Sequence, residues 1–237
     1  MKQKPRSAWE LGLRVAVFGL TLGPLVQLGM QTFESVAGRG DGLGINPIER
    51  LTHRTGEVAL LLLLGCLAVT PLRIVFKKPK LARLRRTLGL WSFFYSTLHV
   101  LIYAFDRALS PDGTGLAEMG KDLGQRPFIA VGALAWLFLL LLAATSGKRA
   151  IAWLGPLWQT LHRLVYAAAA LACIHFAWLV KAGLWNLGRP LGYGAALVVL
   201  LGIRLWFRGR PRRTVSSSVP ASAESQKQEV SAVVFRM

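Results

Sequence analysis

Acidic residues are scarce in this sequence, where 11 Asp and Glu stand against 29 Lys and Arg and give a net charge of +18. None of the 11 lies in the middle of an apolar run, and the nearest candidates, Glu57 and Asp106, lie at run ends. A proton relay across a membrane needs ionisable side chains at bilayer depth, most often carboxylates. The shortage therefore disfavours a carboxylate-based proton transporter.

Cysteine is equally scarce. The two residues, Cys66 and Cys173, lie inside apolar runs and form no CxxC spacing, so we interpret them as buried small hydrophobic residues rather than as a disulfide or metal site. The sequence also lacks a nucleotide-binding glycine motif, an internal repeat and a soluble domain.

What the sequence has in abundance is apolar residues, at 53% of the chain against 17% charged. They form six continuous runs, each near the roughly 20 residues that cross the hydrocarbon core as a helix. The runs cover residues 11–30, 58–76, 88–105, 128–144, 161–180 and 190–207. We therefore predict an all-α integral membrane protein, a six-transmembrane-helix bundle over residues 1–207, followed at 208–237 by a basic, then Ser-, Ala- and Gln-rich disordered tail.

The basic residues collect at the ends of the apolar runs, where topology determinants lie. Seventeen fall on the side of the termini and eight on the other side. This asymmetry predicts that both termini are cytoplasmic in a bacterial inner membrane, and it explains the positive charge through topology and lipid contacts, without nucleic acid.

Three of the four histidines lie in apolar runs: His99 in the third, and His162 and His175 at opposite ends of the fifth. An ionisable side chain at bilayer depth is costly and usually functional. Paired histidines on neighbouring helices can hold a haem iron between them. Haem-based electron transfer is the first hypothesis, and a histidine-dependent proton or metal-ion transporter is the alternative.

Spacing alone does not pair these histidines. On an ideal helix the 13 residues from His162 to His175 correspond to about 140° of rotation and roughly 20 Å of rise, so the two point to separate sites, or to one site and a spare. By depth His99 is near enough to pair with either. His53 precedes the second run, at its outer boundary.

Several short motifs, in order along residues 8–207, resemble the ferric-reductase-like transmembrane family. They are Asn-Pro at 46–47, Thr-His-Arg-Thr-Gly at 52–56, Thr-Pro-Leu at 70–72, Arg-Arg-Thr-Leu-Gly-Leu-Trp at 85–91, Thr-Leu-His at 97–99, Gln-Thr-Leu-His-Arg-Leu-Val-Tyr at 159–166 and Ile-His-Phe-Ala-Trp at 174–178.

The resemblance implies a b-type haem and an FMN in a membrane electron-transfer subunit. Electrons would come from the quinone pool or a cytosolic flavin reductase and leave to a periplasmic molybdopterin enzyme that reduces methionine sulfoxide in oxidised proteins. Eukaryotic members carry two histidines on the third helix, where this chain has only His99, and the resemblance makes His53 the candidate for the missing ligand. A basic cluster is the candidate for the FMN phosphate or the haem propionates, namely Arg83, Arg85, Arg86, Lys148 and Arg149.

We expect His99 and His175 to ligate one haem iron, because both lie toward the outer half of the bilayer span, close to a periplasmic acceptor. His162, near the inner face, is expected to serve a second haem or the flavin.

Overall fold

The computed structural model describes residues 8–39, 46–109, 115–179 and 188–209. Within these ranges the chain is helical apart from turns, with a 3₁₀ turn at Pro79–Leu81. The helices are α1 (Ala8–Val36), α2 (Pro47–Val75), α3 (Ala82–Ala108), α4 (Gly115–Gln125), α5 (Pro127–Ala144), α6 (Lys148–Leu154), α7 (Leu157–Leu161), α8 (Leu164–Leu179) and α9 (Gly188–Gly209). The tail expected beyond residue 207 lies outside the described residues, except that α9 continues to Gly209.

Among the described residues, six segments are long and apolar enough to cross a membrane, which confirms the predicted six-helix class. They are Val15–Val36, Pro47–Val75, Ala82–Ala108, Pro127–Ala144, Leu157–Leu179 and Gly188–Phe207. Large apolar side chains such as Phe18, Leu101 and Val198 are exposed on the helix surfaces, as lipid-facing residues are.

Two differences from the sequence expectation matter for the site. The fifth segment is not one helix, because α7 ends at Leu161 and α8 begins at Leu164, with His162 and Arg163 in the turn between them. His162 and His175 therefore do not share a helix, and the angle calculated for an ideal helix does not apply to them. His53, expected before the second helix, lies inside α2, which begins at Pro47.

Helix α2 is central to the packing. One apolar core joins α2 to α5, α8 and α9 and includes Leu63, Leu139 and Ala168. A second core joins the same helix to α1 and α3, through residues such as Val17, Leu62 and Leu88. Small residues permit close approach between helices in a membrane, and Ala168 and Ala169 of α8 are fully buried.

Several polar side chains in the spans donate hydrogen bonds to backbone oxygens of neighbouring helices. Ser92 of α3 donates to the Ala59 carbonyl of α2 at 2.8 Å, and the Tyr95 hydroxyl donates to the Thr21 carbonyl of α1 at 2.5 Å. With no water in the hydrocarbon core, each unsatisfied polar group would cost several kcal/mol. These bonds therefore tie α1, α2 and α3 together.

The bundle has two ends, which we name by the short helices near them. At the α4 end, α2, α5 and α9 begin and α3 and α8 finish, as shown by contacts such as Tyr193 of α9 to Glu57 of α2. At the α6 end, α2 and α5 finish and α3 begins, as shown by the Cys66 thiol of α2 against the Arg85 carbonyl of α3. The described residues up to Arg204 belong to one compact unit, which contains both the histidine pair and the region of His162.

Candidate functional site

Two histidines from different helices face each other near the α4 end. The imidazole centres of His99 on α3 and His175 on α8 are 6.2 Å apart, and the ring planes are inclined by 83°. The residues are 76 positions apart in the chain, so only the packing of α3 and α8 on their neighbours brings them together.

The His99 ring is fixed against α2. Its Nδ1 lies 2.8 Å from the Thr52 carbonyl oxygen. Because a carbonyl only accepts, Nδ1 carries the proton and donates. Gly56, four residues after Thr52, lies under the ring, where a Cβ would come within 3.0 Å of Nδ1.

The His175 ring is fixed against α5 in the same way. Its Nδ1 donates to the Phe128 carbonyl oxygen at 2.6 Å. Gly132, again four residues further on, lies under the ring, and a Cβ there would come within 2.7 Å of Nδ1 and 2.8 Å of Cε1. The Phe128 ring lies 6.2 Å from the imidazole at a tilt of 33°.

These bonds set the chemistry of both imidazoles. With Nδ1–H donated to a carbonyl, Nε2 is the nitrogen with the free lone pair, and such outer bonds orient metal-ligating histidines. Two metal–imidazole bonds of about 2 Å each, on opposite sides of one ion, separate the ring centres by roughly 6 Å. The observed separation fits one metal ion between the rings.

The pair does not extend into a larger ligand cluster. Among the described residues no group of three or more His, Cys, Asp or Glu side chains comes together to hold a metal ion. A bare ion in a transport site takes most of its ligands from such side chains. A haem iron needs only two from the protein, since the macrocycle supplies four, and the pair therefore fits haem better than a transported ion.

His162 lies in a separate place, on the wall of a cavity of about 420 Å³ near the α6 end. Its ring stacks on Trp158 at 4.0 Å between centres, and its Nδ1 donates to the Trp158 carbonyl oxygen at 3.2 Å. The cavity is part apolar and part strongly basic, with four arginines, namely Arg73, Arg85, Arg86 and Arg204. It is large enough for a planar ligand with an anionic group.

The predicted basic cluster is divided by the fold. Arg85 and Arg86 line the cavity, whereas Arg83, Lys148 and Arg149 are exposed and are not part of its wall. The sequence interpretation missed Arg73, at the end of α2, and Arg204, on α9. Their wide separation in the chain gave no signal of a shared site.

His53 does not join the pair. It is exposed on α2, and its Nε2 lies 3.8 Å from Glu49 one turn earlier. Sequence analysis also missed Thr52, Gly56, Phe128 and Gly132 as partners of the two histidines. A signal existed for one of them, because Gly132 is the only glycine in α5 and an isolated glycine in a helix usually has a packing reason.

The fold and the site together define the class of protein. It is a multi-pass helical membrane protein with a pair of histidines between its helices. A model of the family described as the ferric reductase like transmembrane component matches residues 53–173. The chain belongs to this ferric-reductase-like family and is a multi-pass protein of the bacterial inner membrane.

Named relatives cover most of the chain. It is 48% identical over 176 residues to the protein-methionine-sulfoxide reductase heme-binding subunit MsrQ of Bordetella pertussis, which covers 73% of this chain and 82% of that protein. Identity to the MsrQ of Ralstonia nicotianae is 43% over 203 residues, covering 85% and 88%. Identity to the MsrQ of Xanthomonas campestris pv. campestris is 38% over 212 residues, covering 89% and 94%.

Proposed function

We propose that this protein is a membrane electron-transfer subunit that holds a b-type haem between His99 and His175. The observation that supports it is the facing pair of imidazoles, 6.2 Å apart, each with Nδ1 bound to a carbonyl of a neighbouring helix. The ferric-reductase-like family and relatives named as heme-binding subunits support a haem-based role in the membrane.

The haem, when bound, supplies a one-electron carrier. The chain's own residues orient the ligands and exclude water. Thr52 and Phe128 hold the two rings through their carbonyls, and Gly56 and Gly132 let the rings lie against the helices. Hydrogen-bond partners of this kind, on the imidazole nitrogen that does not bind the metal, raise the basicity of the other nitrogen and restrict ring rotation, so both rings would be held ready to bind the iron.

The direction of electron flow follows from where the two sites lie. We place the α4 end, with the His99–His175 pair, at the periplasm, and the cavity of the α6 end at the cytoplasm. The electron acceptor is then the periplasmic molybdopterin subunit MsrP, which reduces methionine sulfoxide in oxidised proteins. The names of the relatives, which assign them to a methionine-sulfoxide reductase, support this partner.

At the cytoplasmic end the proposed redox group is FMN or a second haem beside His162. The cavity next to His162 has the size for a planar group, and Arg85 and Arg86 on its wall suit a flavin phosphate or a propionate. A group at this depth would take electrons from a quinone or from a cytosolic flavin reductase and pass them outward to the histidine pair.

The proposed orientation has a direct test. A reporter enzyme active only in the periplasm, fused after residue 237, should give no signal, because the positive-inside rule keeps the terminus beside the more basic loops. The same reporter inserted between residues 110 and 114, beyond α3, should be active. A strong signal from the C-terminal fusion would reverse the orientation and with it the direction of electron flow.

The haem proposal is tested first on the unmodified protein. A sample purified from haem-replete cells should show a Soret band that sharpens and shifts on reduction with dithionite, as bis-histidine iron does. Acid extraction of the same sample should release FMN if the α6-end cavity binds flavin, or a second equivalent of haem if it does not. A folded but colourless protein would refute the electron-transfer role. It would favour the alternative, a histidine-dependent proton or metal-ion transporter.

A further inference from the structure

A buried carboxylate outside the histidine pair has no role in the function proposed so far. Asp122 of α4 is 7% exposed and is contacted by three side chains. The Tyr103 hydroxyl donates to its Oδ2 at 2.7 Å, while the Nε atoms of Arg107 and Arg126 lie at 3.4 Å and 3.1 Å from its oxygens. We name this group of four the Asp122 cluster. It has one negative and two positive charges.

The Asp122 cluster is attached to both walls of the histidine site. Tyr103 follows His99 by four residues on α3, which places the two side chains on one face of the helix, about one turn apart. Arg126 precedes Phe128 by two residues, and the Phe128 carbonyl holds the His175 ring. The cluster therefore lies at the α4 end of the site, next to the supports of both imidazoles.

Helix α4 is fitted closely into this position. A Cβ on Gly115, its first residue, would come within 2.8 Å of the Arg107 carbonyl carbon and 2.7 Å of the Ala108 Cα, so this turn accepts only glycine. The Arg107 Nε is buried and has no hydrogen-bond partner among the described residues. Its contact with the Asp122 carboxylate at 3.4 Å is therefore an ion pair without a hydrogen bond, in a partly desolvated place.

The charges of the Asp122 cluster can act on a group held by His99 and His175 without touching it. A partly desolvated charge near a protein surface is screened far less than one in water, with an effective dielectric constant of about 20. When a redox centre gains an electron, a nearby positive charge stabilises the reduced form and a negative charge opposes it. Asp122 therefore offsets part of the effect of Arg107 and Arg126 on any redox group beside His99.

We propose that the Asp122 cluster is an electrostatic control on the redox potential of the group held by His99 and His175, with Asp122 lowering the potential and Arg107 raising it. This inference rests on the proposed function and names positioning residues that act on it through space. The carboxylate therefore makes the outer site a stronger reductant than the two arginines alone would leave it.

The test compares the sign of two shifts. Asp122→Asn removes the negative charge and should raise the midpoint potential, whereas Arg107→Gln removes a positive charge and should lower it. Coulomb's law over roughly 12 Å, the rise from His99 to Arg107, gives a change of about tenfold in the ratio of oxidised to reduced protein at the wild-type midpoint. The double variant should return toward the wild-type value.

The opposite signs of the two potential shifts distinguish an electrostatic effect from a general loosening of the structure. Both single variants break the same ion pair, so a merely structural role would move the two potentials in the same direction. Asp106→Asn is the matched control, because Asp106 adjoins Arg107 but is exposed, and water should screen most of its effect. Equal-sign shifts, or none, in the two variants would overturn the inference.

The test stays decisive even if the Asp122→Asn protein does not accumulate in the expressing cells. Arg107→Gln alone must then show a lowered potential, and an unchanged or raised potential refutes the role. Failure of the proposed function is distinguishable, because it would show as full haem content in His99→Ala and His175→Ala, independently of these titrations.

Discussion

Replacing His99 or His175 with alanine is expected to abolish most of the haem absorbance of the purified protein. Each variant would remove one of the two imidazoles that would hold the iron, and the remaining imidazole would not retain it alone. Because the rings are bonded to Thr52 and Phe128 on helices other than their own, neighbouring side chains cannot replace them without moving a helix.

The other two histidines are the controls for this series. His162→Ala should remove only part of the absorbance, or impair reduction from the cytoplasmic side, because His162 lies on the separate cavity of the α6 end. His53→Ala should matter least, since His53 is exposed. Haem content per protein, from the pyridine haemochrome spectrum, measures all four variants. Full haem in His175→Ala together with its loss in His162→Ala would show that His99 pairs with His162 instead.

Gly132→Ala is expected to lower haem content nearly as much as loss of His175, although it removes no ligand. The added Cβ would lie 2.7 Å from Nδ1 and 2.8 Å from Cε1 of His175, distances that real contacts essentially never show. The ring must shift by several tenths of an ångström, and its bond to the Phe128 carbonyl must break or rotate. Loss of such an outer bond typically costs 10- to 100-fold in metal affinity.

Two other glycines in helices allow a graded comparison with Gly132→Ala. Gly56→Ala should act in the same direction but more weakly, because its Cβ would lie 3.0 Å from the His99 ring. Gly65→Ala is the matched control in a helix interior, since its nearest neighbour is the Leu88 side chain at 3.8 Å. Alanine is the better helix former by roughly 0.5–1 kcal/mol, so a loss in Gly132→Ala cannot be a loss of helix propensity. A normal haem content and an unchanged spectrum in Gly132→Ala would contradict the close contact between Gly132 and the His175 ring.

The sequence by itself determined the membrane class and the six spans, and it named the histidines that are candidates to hold a metal. These follow from local properties, since a continuous apolar run of about 20 residues crosses a bilayer as a helix, and an imidazole within such a run is costly unless it is used. The ends of the helices were predicted less accurately. For example, α2 begins at Pro47 and not at residue 58. The break at His162 and Arg163 falls at the start of the fifth apolar run, and no glycine or proline between Leu157 and Leu164 marks it.

Which histidines meet was decided only by the tertiary structure. His99 lay near enough in depth to pair with either His162 or His175, and an ideal helix could not choose between them. The choice depends on how α3 and α8 are rotated against α2 and α5, and that rotation is set by small residues and carbonyls scattered along the chain. Gly56, Gly132, Thr52 and Phe128 act through contacts between helices, which no periodicity within one helix encodes.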